Sequence, residues 1–353
     1  MSVIPHSRPT LGVEEREAVA AVLAGGHLAQ GPRCQAFEEA VARALGVKHA
    51  RCVSSGLAAL HLSLLAVGVG RGHQVILPSL VCEALLQAVL YCGADPVLVD
   101  VISETGNIDP VQARAVVTPR TRCILVPHMF GTPADLGALG ALGVILVEDC
   151  ALAIWAQYAG RKVGSFGAAG VLSFYATKVL CTGEGGMVVT DDARLAEAVG
   201  DRRDYAGKGD FRTRFNYKMT DMAAAMGLEQ WRKLDGFIRR RRELAALYDS
   251  LVGSLGGVER PDRALHANSI FYRYVVKVPA ERRDRIRRSM ASRGVECGLG
   301  VLHPLHRLMP EAAPRPCPVA DDWADRSLSR PIYPTLADAD ARRVAAALAE
   351  AMS

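Results

Sequence analysis

The stretch LSFYATKVLCTGEGG, residues 172–186, sets one amine, Lys178, in a run that is otherwise uncharged up to Glu184 in the glycine cluster. Desolvation disfavours the charged form of a lysine, and a neutral amine is a nucleophile suited to Schiff-base chemistry. A lysine can equally lay its stem on apolar surface and keep its head in water. Two other stretches bear on the choice. VSSGLAAL, residues 53–60, reads as a strand, then Ser54, Ser55 and Gly56, then a helix. That order offers hydroxyls and free N–H groups to an anion such as phosphate at a helix N-terminus, although Ser55 also reads as a plain helix cap. VILVEDCA, residues 144–151, ends a buried strand in Glu148 and Asp149. Asp149 is the better candidate to pair with a buried cation; a cap or loop acid is the alternative.

The three stretches match the three ends of one molecule. Phosphate near Ser55, a pyridinium nitrogen near Asp149 and an aldehyde near Lys178 are the functional groups of pyridoxal 5′-phosphate. On this reading Lys178 bonds to the aldehyde and later shuttles protons, while Asp149 keeps the ring nitrogen protonated. GVGRGH, residues 68–73, is a turn and not a dinucleotide fingerprint, because its glycines precede a strand.

The elements that must position these residues alternate between residues 32 and 148. Candidate strands at 49–53, 73–78, 95–100, 122–127 and 143–149 are separated by helical patterns, and their apolar character predicts a parallel sheet covered on both faces. Ligands of such sheets bind at the carboxyl ends of the strands. Further β runs at 169–175 and 186–191 flank Lys178. A long helix from Asp221 to Leu251 follows, then a change of texture: a β run at 271–278, a basic helix at 280–294, a Pro-rich loop and a last helix at 337–352. The predicted class is α/β, with a large domain over residues 1–250 and a smaller C-terminal α+β domain over 251–353, as a 353-residue chain leads one to expect.

Half of the residues are hydrophobic and 22% charged, the balance of a soluble globular protein. The net charge of +5 is mild. The run Arg239 to Arg242 lies in a helical pattern and reads as a solvated face, without the aromatic interleaving of a nucleic-acid binder. Nine cysteines without a CxxC pair read as small buried hydrophobes in a reducing compartment, with neither a metal site nor a disulfide framework. No apolar run is long enough to span a bilayer and the N-terminus has no secretory h-region, so a cytoplasmic location is expected.

The stretches QGPRCQAFEEAVARALGVKHARCVSSGLAAL (30–60), PHMFGTPADL (127–136), VEDCA (147–151), GSFGAAGVLSFYATKVLCTGEGGMVVTDD (164–192) and FNYKMTDMAAAMGLEQWRKLDGFIRRRR (215–242) carry a further signal. With them the chain resembles the DegT/DnrJ/EryC1/StrS family of sugar aminotransferases, pyridoxal-phosphate enzymes of fold type I. The resemblance implies that the Schiff-base lysine is Lys178, the pyridine-nitrogen acid Asp149, and the phosphate ligands Ser55, the N–H of Gly56, and Ser173. It also implies that Asn216 is donated to the phosphate of the neighbouring subunit, so that the active protein is a homodimer with shared sites. The chain departs from the family at Leu57 (usually threonine), Cys82 (usually an aromatic stacked on the ring), Leu152 (usually glutamine) and Lys218 (often arginine). The implied activity is transfer of an amino group, from glutamate, to a keto sugar that is most plausibly nucleotide-linked. A ketocyclitol acceptor or a non-catalytic relative remain as alternatives, while a dehydratase of the family calls for histidine where this chain has Lys178. His128, His303 and His306 are candidates near the substrate, each with a structural role as the alternative.

Overall fold

The structure is a computed structural model and describes residues 2–253, 255–260 and 268–353. Two helices, α1 (Val13–Gly25) and α2 (Pro32–Leu45), lead into an alternation of strand and helix: β1 (His49–Val53), α3 (Gly56–Ala66), β2 (Gln74–Pro78), α4 (Glu83–Tyr91), β3 (Asp95–Val99), α5 (Pro110–Arg114), β4 (Thr121–Pro127), α6 (Leu136–Gly140) and β5 (Ile145–Asp149). A two-strand hairpin of β6 (Gln157–Tyr158) and β7 (Arg161–Lys162) precedes β8 (Ala169–Ser173), β9 (Gly186–Thr190), α7 (Ala193–Arg202) and the long α8 (Asp221–Val252). The remainder comprises β10 (Tyr274–Lys277), α9 (Ala280–Ser292), α10 (Leu305–Leu308), α11 (Pro318–Arg326), β11 (Ser327–Arg330) and α12 (Asp338–Met352).

Seven strands form one sheet in the order β1-β9-β8-β5-β4-β2-β3, parallel throughout except for β9, which runs antiparallel to both neighbours. The prediction of a mostly parallel α/β sheet holds. Its interior strands are apolar on both faces; all five residues of β8 are buried. One core cluster packs Phe37 of α2 and Phe237 of α8 against one face, and another packs Leu62 and Leu64 of α3 with Leu85 of α4 against the other. Because β1, β8, β5, β4 and β2 point the same way, their carboxyl ends open on one edge of the sheet, where such folds bind ligands.

A third core, around Tyr248, Tyr274, Ile286, Leu328 and Leu348, lies between α8, α9, α12 and the antiparallel pair β10–β11; Ile4 joins it through a bridge to Val295. This C-terminal region is tied to the sheet edge by Asp100, whose carboxylate accepts from the N–H groups of Val319 and Ala320 at 2.9 and 2.8 Å. A second tie joins two loops in left-handed conformation, at Phe130 (φ 55°) and Phe271 (φ 49°). Ile270 donates its N–H to Gly131 O at 3.0 Å and Arg273 its N–H to Phe130 O at 3.3 Å. Gly131 is required there: its φ is +101°, and a Cβ would lie 2.8 Å from the nitrogen of Tyr272.

Three expectations are corrected. The run Arg239 to Arg242 is not a uniformly solvated face. Arg241 is 4% exposed, and its Nη1 donates to the carbonyls of Phe271, Tyr272 and Ile332 at 3.3, 3.1 and 2.6 Å. Four consecutive helical residues point around the axis, so one of them had to face inward. Cys82 is exposed, not buried, because it caps the start of α4 at the mouth of a cavity, whereas the other eight cysteines are buried and free. Residues 271–273 are a loop and not part of a strand, and β11, whose SLSR lacks an apolar run, pairs with β10 unannounced by its sequence.

Candidate active site

Lys178 sits in a closed loop between β8 and β9. Phe174 donates its N–H to Gly185 O at 2.9 Å, Thr182 donates to Phe174 O at 2.8 Å, and the Thr182 hydroxyl donates to Glu184 O at 2.7 Å. Within it the N–H of Lys178 closes a turn on Tyr175 O at 2.8 Å. The loop leaves the lysine half-buried, with Nζ 5.3 Å from the ring centroid of Tyr272.

Facing this loop is the turn after β1. Ser55 caps α3, its Oγ accepting from the N–H of Ala58 at 3.1 Å, so the plain cap is present. The cap spends the Ala58 N–H, while the first amides of α3, on Gly56 and Leu57, lie among the donors that a helix leaves without intrahelical partners. Gly56 abuts Ser173: a Cβ on the glycine would lie 2.8 Å from the serine Cβ. A Cβ on Gly186 would meet Ser55 O at 2.3 Å. Glycine at both positions is therefore what brings the helix start, β8 and β9 together. Ser54 donates its N–H to Tyr217 O at 2.7 Å, which lays the backbone of the FNYK motif beside this turn.

At the end of β5 the two acids diverge. Glu148 points into the core, fully buried, and accepts from the N–H groups of Gly164, Phe166 and Gly167 at 2.7, 2.7 and 2.8 Å, and its Oε2 lies 3.2 Å from His128 Nε2. Since His128 Nδ1 accepts from the Ala134 N–H at 3.0 Å, Nε2 carries the proton. Burial opposes ionisation of Glu148, but the His128 contact and the loop amides outweigh it and hold the carboxyl below its ordinary range. Asp149 points the other way, into the cavity. Burial pushes its carboxyl up, against the Ala151 N–H at 2.9 Å and the nearby Lys178 and His128. Its surroundings lack a full counter-charge.

These residues line one cavity of about 250 Å³, bounded by Ser55, Gly56, Leu57, Cys82, Asp149, Leu152, Ser173 and Lys178. A second cavity of about 470 Å³ continues from it, sharing Cys82, Leu152 and Lys178 and adding Phe130, Tyr272, Arg273 and His303. His303 is thus at the outer cavity. His128 is buried beneath the site and His306 is held by the Ser79 hydroxyl at 2.6 Å and Asp321 at 3.2 Å; neither lines the two cavities. Asn216 is exposed and does not reach the cavity of its own chain. Sequence reasoning missed Tyr272 and Arg273, which arrive from the C-terminal region, and Asn107, whose side chain holds the loop after β4 through Met129 N–H and the Thr132 and Pro133 carbonyls. Asn107 opens the short sequence NIDP, residues 107–110, just before α5.

An amine, a carboxylate that lacks its cation, and a helix start closed to within a methyl group of a serine surround a space fit for a small phosphorylated heterocycle, and so define the site of a pyridoxal-phosphate enzyme. The chain belongs to the DegT/DnrJ/EryC1/StrS aminotransferase family, whose model matches residues 9–349. It is 34% identical to the spore coat polysaccharide biosynthesis protein SpsC of Bacillus subtilis, over 96% of this chain and 94% of that one. It is 36% identical to the GDP-perosamine synthase of Caulobacter vibrioides, over 88% of each. Among solved structures it is similar to the aminotransferase TlmJ from Streptoalloteichus hindustanus, with a TM-score of 0.94 and 35% identity over 99% of both chains. The protein is accordingly an aminotransferase, and its cofactor is pyridoxal 5′-phosphate.

Proposed function

We propose that the protein moves an amino group from glutamate to a keto sugar carried on a nucleotide, within amino-sugar or natural-product biosynthesis. The observation that carries this reading is the convergence of Lys178, Asp149, Ser55 and Ser173 on one cavity that opens into a larger one. Lys178 Nζ would hold the cofactor through its aldehyde and, as a free amine, would take and return the proton of the reacting carbon. Asp149 would keep a proton on the pyridine nitrogen, and the cation so formed would relieve the burial of the carboxylate. Ser55, the N–H groups of Gly56 and Leu57, and Ser173 would bind the phosphate, where the α3 dipole favours an anion. Cys82 and Leu152 are walls of the ring site, and Leu57 supplies only its amide. The cofactor, when bound, supplies the electron sink through which the amino group leaves one substrate and enters the other. Asn216, exposed in its own chain, is read as the phosphate ligand of a partner subunit, which makes the working unit a cytoplasmic homodimer. The division into residues 1–250 and 251–353 is part of the same reading, the outer cavity lying between the two parts.

The named protein GDP-perosamine synthase supports a nucleotide-linked acceptor. The test is turnover of the purified protein with L-glutamate and a panel of nucleotide-linked keto sugars, followed by mass spectrometry of the aminated product. Turnover with a ketocyclitol and with none of the nucleotide sugars would replace the sugar reading.

A further inference from the structure

The outer cavity contains a cation that nothing above uses. Arg273 stacks on Tyr272, its Cζ 4.8 Å from the ring centroid, and Lys178 Nζ lies 5.3 Å from the same centroid. Two cations thus share one aromatic ring within reach of one small ligand. Among the described residues no carboxylate pairs with Arg273. Its guanidinium meets only the Tyr272 hydroxyl at 3.3 Å and the ring of His6 at 3.2 and 3.3 Å. His6 supplies no negative charge; burial and the adjacent guanidinium push its pKa down to about 3, so it is a neutral ring. Tyr272 records the same positive field: burial works to raise its phenol, yet Lys178 and Arg273 outweigh burial and lower it. A guanidinium that faces an open cavity beside Lys178, with no carboxylate partner among the described residues, forms an anion site.

The position of Arg273 is fixed. Its N–H is bonded to Phe130 O, the carbonyls of Phe271 and Tyr272 are held by buried Arg241, and His6, which steadies the guanidinium, is itself bonded to Ser329 Oγ at 2.9 Å. Such a fork is ready for two parallel hydrogen bonds to a planar anion.

We propose that Arg273 is the binding residue for the substrate carboxylate, the group common to the amino donor and to the keto acid it leaves behind. This rests on the aminotransferase reading. A carboxylate is favoured over the diphosphate of a nucleotide sugar because Arg273 and Lys178 flank one ring. In an amino acid the carboxylate is one bond from the carbon that bears the reacting nitrogen, whereas a diphosphate is separated from the keto carbon by the sugar ring.

The test uses holoenzyme, with 2-oxoglutarate binding followed by calorimetry and L-glutamate titrated through the visible absorbance of the cofactor. Arg273→Met should weaken both by about 10–100-fold, the range of a charge-assisted pair, while leaving the affinity for dTDP and the thermal midpoint unchanged; Arg273→Lys should recover part of the loss. His6→Ala, which leaves the guanidinium in place but frees it, should raise the glutamate KM several-fold with kcat nearly unchanged. This second variant decides the matter if Arg273→Met does not fold. Unchanged binding of both carboxylates overturns the proposal, as does a loss confined to dTDP, which would assign Arg273 to the diphosphate. If 2-oxoglutarate binding depends on Arg273 but no amine is ever transferred, the carboxylate site stands and the aminotransferase reading falls.

Discussion

Glu148 and Asp149 are consecutive residues at the end of one strand, both buried, and their carboxyls are driven in opposite directions, Glu148 down and Asp149 up. The alternation of a β-strand turns one side chain to each face of the sheet. Glu148 meets His128 and three amides on its face; Asp149 meets one amide and a cavity. The pair therefore separates a structural acid from an acid that needs a ligand.

For Asp149 the sign is that of a raised carboxyl. Its contribution to stability is fully present below its ordinary value of 3.8 and is lost as pH rises through the higher folded value. Asp149→Asn should consequently raise the melting temperature of cofactor-free protein at neutral pH, with the two proteins converging in acid. The same variant should bind the cofactor about 10–100-fold more weakly, the scale of a charge-assisted hydrogen bond. Calorimetric melts with and without cofactor check both signs, and a variant stabilised in neither state contradicts this account of Asp149.

For Glu148 the sign reverses. Its folded value lies below the ordinary 4.5, so its contribution is present above that pH and is lost as pH falls through the folded value. Glu148→Gln should cost about 1–3 kcal/mol, as buried donors left without a full acceptor do, and should flatten the acid limb of the stability profile. Urea unfolding at pH 7 and at pH 3 to 4 measures both.

Lys178→Ala should lower turnover by at least about 10³-fold, since positioned proton transfer alone is worth about 10²–10⁴-fold. Asn216→Ala should also be inactive if the asparagine serves its partner. Unfolding and refolding the two variants together then gives mixed dimers that hold one intact site each, and about a quarter of wild-type activity should return. No recovery in a mixture shown to contain mixed dimers would remove Asn216 from the partner's site.

Arg241→Leu leaves the carbonyls of Tyr272 and Ile332 without their common donor in the interior. Buried acceptors left without a partner cost about 1–3 kcal/mol each, so the variant should be destabilised by roughly that amount or more. It should also raise substrate KM, because the Tyr272 loop loses its anchor. A stability loss with KM unchanged would show that the loop holds its place without the arginine.

The inner site was legible because each of its residues follows a strand of recognisable pattern: Ser55 after HARCV, Asp149 in VILVED, Ser173 in AGVLS and Lys178 in the loop to GMVVT. A parallel sheet turns that local order into proximity without any knowledge of side chains. The outer site was not legible, since Tyr272 and Arg273 sit in a loop whose FYRYVV spelling is that of a strand. Their approach depends on two left-handed phenylalanines and on Gly131, contacts between segments more than a hundred residues apart. Arg241 was misread for a related reason: composition marks a run of arginines as solvated, but only packing reveals which member of the run the helix turns inward.

The distribution of the sulfur atoms has a practical side. Burial raises the thiols of Cys52, Cys92, Cys123, Cys150, Cys181, Cys297 and Cys317 and so withholds the reactive thiolate, and Cys34 is shielded by burial itself. An alkylating or fluorescent maleimide therefore meets a single accessible target in the folded chain, Cys82, which lies on the shared wall of both cavities. The protein comes with a built-in labelling position, so occupancy of its chamber can be followed by the rate of dye attachment, with no cysteine added or removed.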